Sequence, residues 1–384
     1  MPAYKTLQDL PDINGKTVIL RADLNVPTDG KEVTDTTRID RVKPTIDALL
    51  EKGAKIKILS HFGRPKGEEN PDYSLEFLAP ILSKAWNHDV AFDDENAQIT
   101  LLENTRFHEG EEANDMALAK RWADLGDIYV NDAFSVSHRA HASTESIAKC
   151  LPSYAGLLME QELTALERAL TTPERPVTAI VGGAKISTKL DLLNNLIKKV
   201  DHLILGGGMA NTFVAAKGYD VGASLCENDM LDTARDIMDN ADKNGCLIVL
   251  PTDFIVAKEF KAHAQSLNVL IEEVPADYMA LDVGPKTIMR IEDIIQKSKT
   301  IVWNGPMGAF EIAPFDNATI EIAEYVANFT RLGDIVSVAG GGDTVSAMAH
   351  AGVKDDLSYL SSAGGAFLEW LEGKTLPGVA ALSP

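Results

Sequence analysis

Val177-Thr-Ala-Ile-Val-Gly-Gly183 is a short run, apolar or β-branched throughout, that ends in two glycines. A strand with one wet face alternates apolar and polar residues. A run that does not alternate is buried on both faces, the condition of a strand inside a parallel sheet covered by helices. Four more runs of this form follow: HLILGGG from His202, LIVLPTD from Leu247, TIVWNGP from Thr300 and DIVSVAGGG from Asp334. Four precede it: TVILRADLNV from Thr17, AKIKILSH from Ala54, QITLLEN from Gln98 and DIYVND from Asp127. Helical stretches lie between them, so the pattern predicts βα units and an α/β architecture throughout.

At 384 residues the chain exceeds what one hydrophobic core usually supports, and two domains are expected. Leu151 to Thr172, LPSYAGLLMEQELTALERALTT, reads as one long helix broken by the TPERP that follows, and Leu157, Leu158, Leu163, Leu166 and Leu170 form its apolar stripe. This is the candidate connector. The final LPGVAALSP is mildly apolar and reads either as a frayed end or as a segment that docks elsewhere.

The net charge is −21, and residues 1–150 hold 18 Lys+Arg against 26 Asp+Glu, a net of −8 that leaves −13 for the rest. Neither part has the basic excess that binding a nucleic-acid backbone needs. No apolar leader and no stretch of eighteen uncharged apolar residues is present, so neither membrane nor nucleic acid is expected as a partner. Cys150, Cys226 and Cys246 lie far apart without metal-ligand spacing and read as thiols in a reducing compartment, which predicts a cytoplasmic protein. An acidic protein that binds anions must do so with a local basic cluster.

Such a cluster stands at the strand ends. In open parallel sheets ligands bind beyond the carboxyl ends of the strands. The first-half runs end at Arg21-Ala-Asp23-Leu-Asn25, at His61-Phe-Gly-Arg64, at Asn104-Thr-Arg106, and at Asn131-Asp132 followed by His138-Arg139-Ala-His141; Arg38 makes a fifth arginine. A guanidinium fork binds phosphate and carboxylate bidentately, so this array suits a small, multiply anionic metabolite, with Asp23 and Asn25 facing hydroxyls. His138 and His141 lack the carboxylate of a metal motif and read as loop hydrogen bonding or ligand contact.

The second-half strands end in glycine: Gly182-Gly183-Ala-Lys185, Gly206-Gly207-Gly208, Asn304-Gly305-Pro306-Met307-Gly308 and Gly340-Gly341-Gly342-Asp343-Thr344. Glycine admits close approach of phosphate to backbone, and a helix start behind it aims N–H groups at the anion. Asp343 is placed to hold Mg²⁺ beside a nucleotide. Lys185 and Lys189, four apart, are expected on one face of the opening helix. The common nucleotide signatures are absent. Both Gly-Lys-Thr triplets have leucine (Leu10, Leu368) where a P-loop needs its first glycine, and Asn211 and Val345 stand where the dinucleotide fingerprint needs its last.

Taken together, RADLNVP, SHFGRP, LLENTRFHEGEE, NDAFSVSHRAHAS, IVGGAKISTKL, LILGGGMANTF, ALDVGPKTI, IVWNGPMGAFE, VAGGGDTVSA and SSAGGAFLEWLEGK resemble phosphoglycerate kinase, in that family's order from about Arg21 to Lys374. The resemblance implies two Rossmann-like domains with parallel sheets flanked by helices, facing across a cleft. Residues 1–155 with a returning tail, 371–384, would bind 3-phosphoglycerate, 156–172 would form the interdomain helix, and 173–370 would bind the nucleotide. It places Arg21, Asp23, Asn25, Arg38, His61, Arg64, Arg106 and Arg139 on the phosphoglycerate site. Gly182, Gly183, Lys185, Lys189, Gly206, Gly207, Asn304, Pro306, Glu311 and Gly340, Gly341, Gly342, Asp343 and Thr344 fall on the nucleotide site, Glu311 toward ribose hydroxyls and Asp343 on Mg²⁺.

The implied partners are 3-phosphoglycerate or 1,3-bisphosphoglycerate and ATP or ADP, and the implied state is a monomer. In either direction the nucleophile is already an anion, so no strong general base and no covalent phosphoenzyme are expected. Arg38, Lys185, Lys189 and the amides near Gly341 and Gly365 are the candidate catalytic groups, acting by positioning and charge cancellation as the domains close. Two departures stand out. SVSHRAH replaces the commoner GTAHRAH, introducing Ser135 and Ser137, and SSAGGA replaces STGGGA, so Ala363 takes the first glycine position. A non-catalytic anion-binding protein would explain the arginines but leave Asp343 without purpose, and a dehydrogenase would lack its fingerprint.

Overall fold

The computed structural model describes residues 4–383; Met1 to Ala3 and Pro384, ends of the expected first domain and tail, lie outside the described residues. The chain divides into two compact units, one running up to Leu163 and resuming at Thr375, the other Thr164–Lys374. All nine apolar runs lie in two six-stranded parallel sheets flanked by helices, one sheet in each unit.

In the first unit the strands lie in the order Ala91–Phe92, Ile99–Leu101, Lys55–Leu59, Thr17–Arg21, Ile128–Asn131, Ser153–Ala155. Thr17–Arg21 is central and its residues from Val18 onward are fully shielded, which explains why TVIL carries no alternation. The chain switches direction between this strand and Ile128–Asn131, so Arg21 and Asn131, which pair in register, open onto the topological switch point. A core of Leu20, Ile46, Leu82, Trp86 and Ile128 among others fills the space beneath the flanking helices Thr37–Glu51 and Ala79–Trp86.

The helix expected from Leu151 begins only at Leu157, because Ser153–Ala155 instead adds an edge strand beside Ile128–Asn131 and buries Tyr154. Gly156 makes the turn possible: a Cβ there would meet Asp132 Oδ1 at 2.3 Å. The Asp132 carboxylate then accepts Met159 N–H (3.0 Å) and caps the helix Leu157–Leu166, while Oδ2 is buried without a hydrogen-bond partner among the described residues. The returning segment docks through the short helix Pro377–Ala380, where Gly378 N–H donates to Ser137 O (2.9 Å) and Asn131 Nδ2 donates to Gly378 O (3.3 Å). Leu371 and Lys374, ahead of that segment, bind within the second unit to Asn195 and Asp191.

In the second unit the order is Leu247–Val249, His202–Leu205, Val177–Val181, Thr300–Asn304, Val336–Gly340, Tyr359–Ser361. Numbered along the chain this is 3-2-1-4-5-6, the order of dinucleotide-binding sheets, reached without their glycine fingerprint. The switch point falls between Val177–Val181 and Thr300–Asn304. A three-stranded antiparallel sheet, Ser266–Leu270, Asp253–Ala257 and Met279–Val283, is added beside it.

Candidate active site

At the first switch point the side chains predicted from the strand ends interlock. Arg21 is 1% exposed, and its guanidinium donates from Nε to Ser143 Oγ (2.9 Å), from NH1 to Ala22 O and Leu59 O, and from NH2 to His61 Nδ1 (3.2 Å). The Arg38 guanidinium pairs with Asp23 Oδ2 (3.0 Å) and donates to Asn25 O (2.7 Å). Asn25 Oδ1 accepts Gly63 N–H (2.9 Å), and Gly63 O accepts Arg106 NH1 (2.6 Å). The turn after Ser60 therefore ties Asn25 to Arg106. Gly63 sits at φ +59 against the Tyr73 ring, where a Cβ would come within 2.3 Å, so no other residue fits.

Two buried histidines register how closely the arginines gather. Burial, reinforced by the charges of Arg21, Arg106 and Arg38, holds His61 well below its ordinary value against the pull of Asp23. His61 is thus neutral and accepts from Arg21 at Nδ1. Burial and the charges of Arg21, Arg106 and Arg139 push His141 down to about 3. Burial works to raise Asp23, yet its carboxyl stays below its usual value; with His61 neutral, Arg38, the Ser135 hydroxyl and Arg21 do this. Arg139 packs its Nε on His138 Nε2 (3.2 Å). Arg64, next after Gly63, is exposed and makes no ion pair or hydrogen bond with the described residues.

At the second switch point Lys189 is central. Its ammonium donates to Gly182 O (2.6 Å), Asn304 Oδ1 (2.6 Å) and Asn304 O (3.3 Å). Burial pushes its pKa down to about 8, opposed by Asp343. Lys185 and Lys189 do not share a helical face as expected. The helix begins at Leu190, Lys189 precedes it at φ −130, and both lysines belong to the loop. The carbonyl acceptors draw Lys189 inward, whereas Lys185 is exposed.

The glycine loops pack on one another and on this lysine. A Cβ at Gly182 would fall 1.7 Å from Pro306 O, and one at Gly305 would fall 2.3 Å from Gly182 O. Asn304 Nδ2 donates to Gly340 O (2.7 Å), and Gly305 N–H donates to Thr344 Oγ1 (2.7 Å), so the third loop is latched to the first two. Gly341, at φ +104, starts the helix Gly342–His350, and a Cβ at Gly364, first residue of Gly364–Leu371, would lie 3.7 Å from Gly342 N. Two helix N-termini therefore stand side by side, with Gly342 and Gly365 exposed. Ala363, in the glycine position of SSAGGA, has φ −93 and is unstrained.

A cavity of about 480 Å³ opens here, lined by Gly183, Gly207, Pro306, Glu311 and Asp343 on one side and by Phe254, Leu281 and Leu225 on the other. Gly206 precedes the helix Gly207–Ala216 that forms part of its wall. The apolar wall comes largely from the antiparallel sheet, and no sequence signal marked it. Sequence reasoning also passed over Glu111 and Ser143, which sit behind Arg21; they carry no positional signature at a strand end. Among the described residues no cluster of three His, Cys, Asp or Glu could hold a metal, and the Asp343 carboxylate accepts no hydrogen bond from them. No helix is long and apolar enough to cross a membrane among the described residues.

Guanidinium groups at the switch point of one α/β unit, and a lysine with converging helix starts at that of the other, are the equipment of a phosphotransferase for a small anionic metabolite. The comparisons specify which. The phosphoglycerate kinase family profile matches residues 7–374. A phosphoglycerate kinase of Allorhizobium ampelinum is 58% identical, with 100% of this chain and 99% of that protein covered. One from Novosphingobium aromaticivorans is 56% identical over 99% of each. The structure of phosphoglycerate kinase from Coxiella burnetii superimposes with a TM-score of 0.93 at 43% identity, covering 99% of this chain and 98% of that one. That from Pyrococcus horikoshii gives 0.79 at 29% identity, covering 98% of each. The chain belongs to the phosphoglycerate kinase family, and its activity is that of a phosphoglycerate kinase.

Proposed function

We propose that the chain passes a phosphoryl group directly and in line between 1,3-bisphosphoglycerate and ADP, giving 3-phosphoglycerate and ATP, and reversibly so. Arg21, Arg38, Arg64, Arg106 and Arg139, with Asp23, Asn25 and His61, bind the phosphoglycerate. The loops of Gly182, Gly183, Gly206, Gly207, Asn304, Pro306 and Gly340 to Thr344 bind the nucleotide, with Glu311 on the ribose. Lys189, Lys185, Arg38 and the amides at Gly341 and Gly365 cancel charge on the transferring group. The observation that carries this reading is the lysine latched to Gly182 and Asn304 beside two exposed helix starts, a corner of positive charge and backbone N–H donors. Such a corner suits a phosphoryl group that needs positioning and electrostatic relief rather than proton transfer.

Asp343, a single exposed carboxylate in a helix's first turn beside the cavity, fits Mg²⁺ held chiefly by nucleotide oxygens better than it fits an all-protein site. When bound, Mg²⁺ would supply charge neutralisation at those oxygens. Since the two sets of ligands belong to different units, transfer requires the units to approach with both substrates bound, which scattering reads as a smaller radius of gyration. Three unpaired thiols support a reducing cytoplasmic setting, the acidic charge argues against nucleic acid, and we expect a monomer. A coupled assay for ADP-dependent ATP formation from 1,3-bisphosphoglycerate tests the whole: no ATP, with intact folding, overturns it.

A further inference from the structure

Glu111 is fully buried, yet no guanidinium or ammonium of the described residues pairs with its carboxylate. An isolated interior carboxylate is costly unless its oxygens are hydrogen-bonded. Oε2 accepts Ser143 N–H (2.9 Å) and Oε1 accepts the Ser143 hydroxyl (2.5 Å). The His141 ring is 3.8 Å away and neutral. A serine hydroxyl has one proton, and giving it to Glu111 turns the oxygen's lone pairs toward Arg21 Nε, 2.9 Å distant. The chain therefore runs in one direction, from guanidinium through hydroxyl to carboxylate, and each link polarises the next. The turn is clamped besides: Tyr129 hydroxyl donates to Ser143 O (2.8 Å) and Ala142 N–H donates to Glu111 O (2.9 Å).

The consequence falls on Arg21. Of its five N–H bonds, Nε is committed to Ser143, the NH1 pair to Ala22 O and Leu59 O, and one on NH2 to His61. One NH2 hydrogen remains without a partner among the described residues. We propose that Glu111, acting through Ser143, is a positioning residue for phosphoglycerate: it fixes the guanidinium so that this remaining N–H points at the substrate. A neutral group at 111 no longer fixes the direction of the hydroxyl proton, and the fork is free to turn. Displacements of about 1 Å at such a contact weaken binding severely. The proposal rests on the assignment of Arg21 to the phosphoglycerate site.

The test compares Glu111→Gln, Ser143→Ala and their double variant with Arg21→Lys, reading KM for 3-phosphoglycerate and for ATP. KM does not depend on the fraction of enzyme that folds, so a loss of stability alone does not move it. We expect Ser143→Ala and Glu111→Gln each to raise KM for 3-phosphoglycerate at least tenfold while KM for ATP stays within twofold. The double variant should be no worse than the worse single one, because both break the same chain. If Arg21→Lys raises that KM but Ser143→Ala does not, the relay is overturned and the substrate site stands. If Arg21→Lys leaves it unchanged as well, the assignment of Arg21 fails. Equal rises in both KM values, or additive effects in the double variant, also overturn the relay, and Ser143→Ala decides alone should Glu111→Gln not fold.

Discussion

Lys189 Nζ lies 2.6 Å from Asn304 Oδ1, and Asn304 Nδ2 in turn holds Gly340 O. One asparagine thus joins the lysine of the first glycine loop to the backbone of the last. Lys189→Ala should lower turnover at least a hundredfold, the loss of a charge-stabilising group worth about 3 kcal/mol. Near-normal turnover would remove Lys189 from the catalytic set.

The same lysine should shape the pH profile. Its pKa is lowered to about 8 by burial, so it is charged at neutral pH and loses its proton as pH rises through that value. The kcat/KM for nucleotide, which reports the free enzyme, should fall on the alkaline side with a midpoint near 8. A profile flat to well above that value contradicts the assignment.

Arg38 is a third exposed and spans Asp23 and Asn25 rather than a core. Arg38→Ala should therefore cut turnover a hundredfold or more while the melting temperature moves by only a few degrees. A large drop in melting temperature with turnover intact would make the residue structural.

Ala363 has a negative φ, so its methyl group costs the backbone nothing. Ala363→Gly should leave turnover within twofold and lower stability by about 1 kcal/mol through chain entropy. A fivefold gain in turnover would show that glycine geometry matters there.

Burial raises Asp132 to about 6, against the hydrogen bond that its carboxylate accepts from Met159 N–H. A carboxyl raised in the folded state favours folding below its unfolded pKa, near 4, and loses that contribution as pH rises through 6. The melting temperature of Asp132→Asn, relative to the unaltered chain, should therefore improve as pH goes from 5 to 7. An unchanging difference across that window would mean that Asp132 does not titrate there.

Much of this was legible because strands buried on both faces must be apolar at every position, and the polar residues that close them fall where ligands bind. Arg21, Asp23, Asn25, His61 and Arg106 were found this way and meet in the structure. The rest had no such mark. Strand Ser153–Ala155 lies inside a stretch of helical composition, and only Gly156 hints at the break. Ser266–Leu270, at an edge of the antiparallel sheet, is largely open to solvent and carries little apolar signal. Glu111 sits among charges in HEGEE, where a buried carboxylate and a solvated one read alike. Lys185 and Lys189 share a spacing, and only the carbonyls that attract one of them tell them apart.

The bond from Asn131 to Gly378 spans 247 positions of sequence. During synthesis the sheet bearing the arginines emerges early, yet the helix Pro377–Ala380 that bonds Asn131 and Ser137 is made only after every strand of the other unit has left the ribosome. The second unit is in effect an insertion into the first, and the nascent arginine-bearing half must wait, incompletely sealed, for the end of translation.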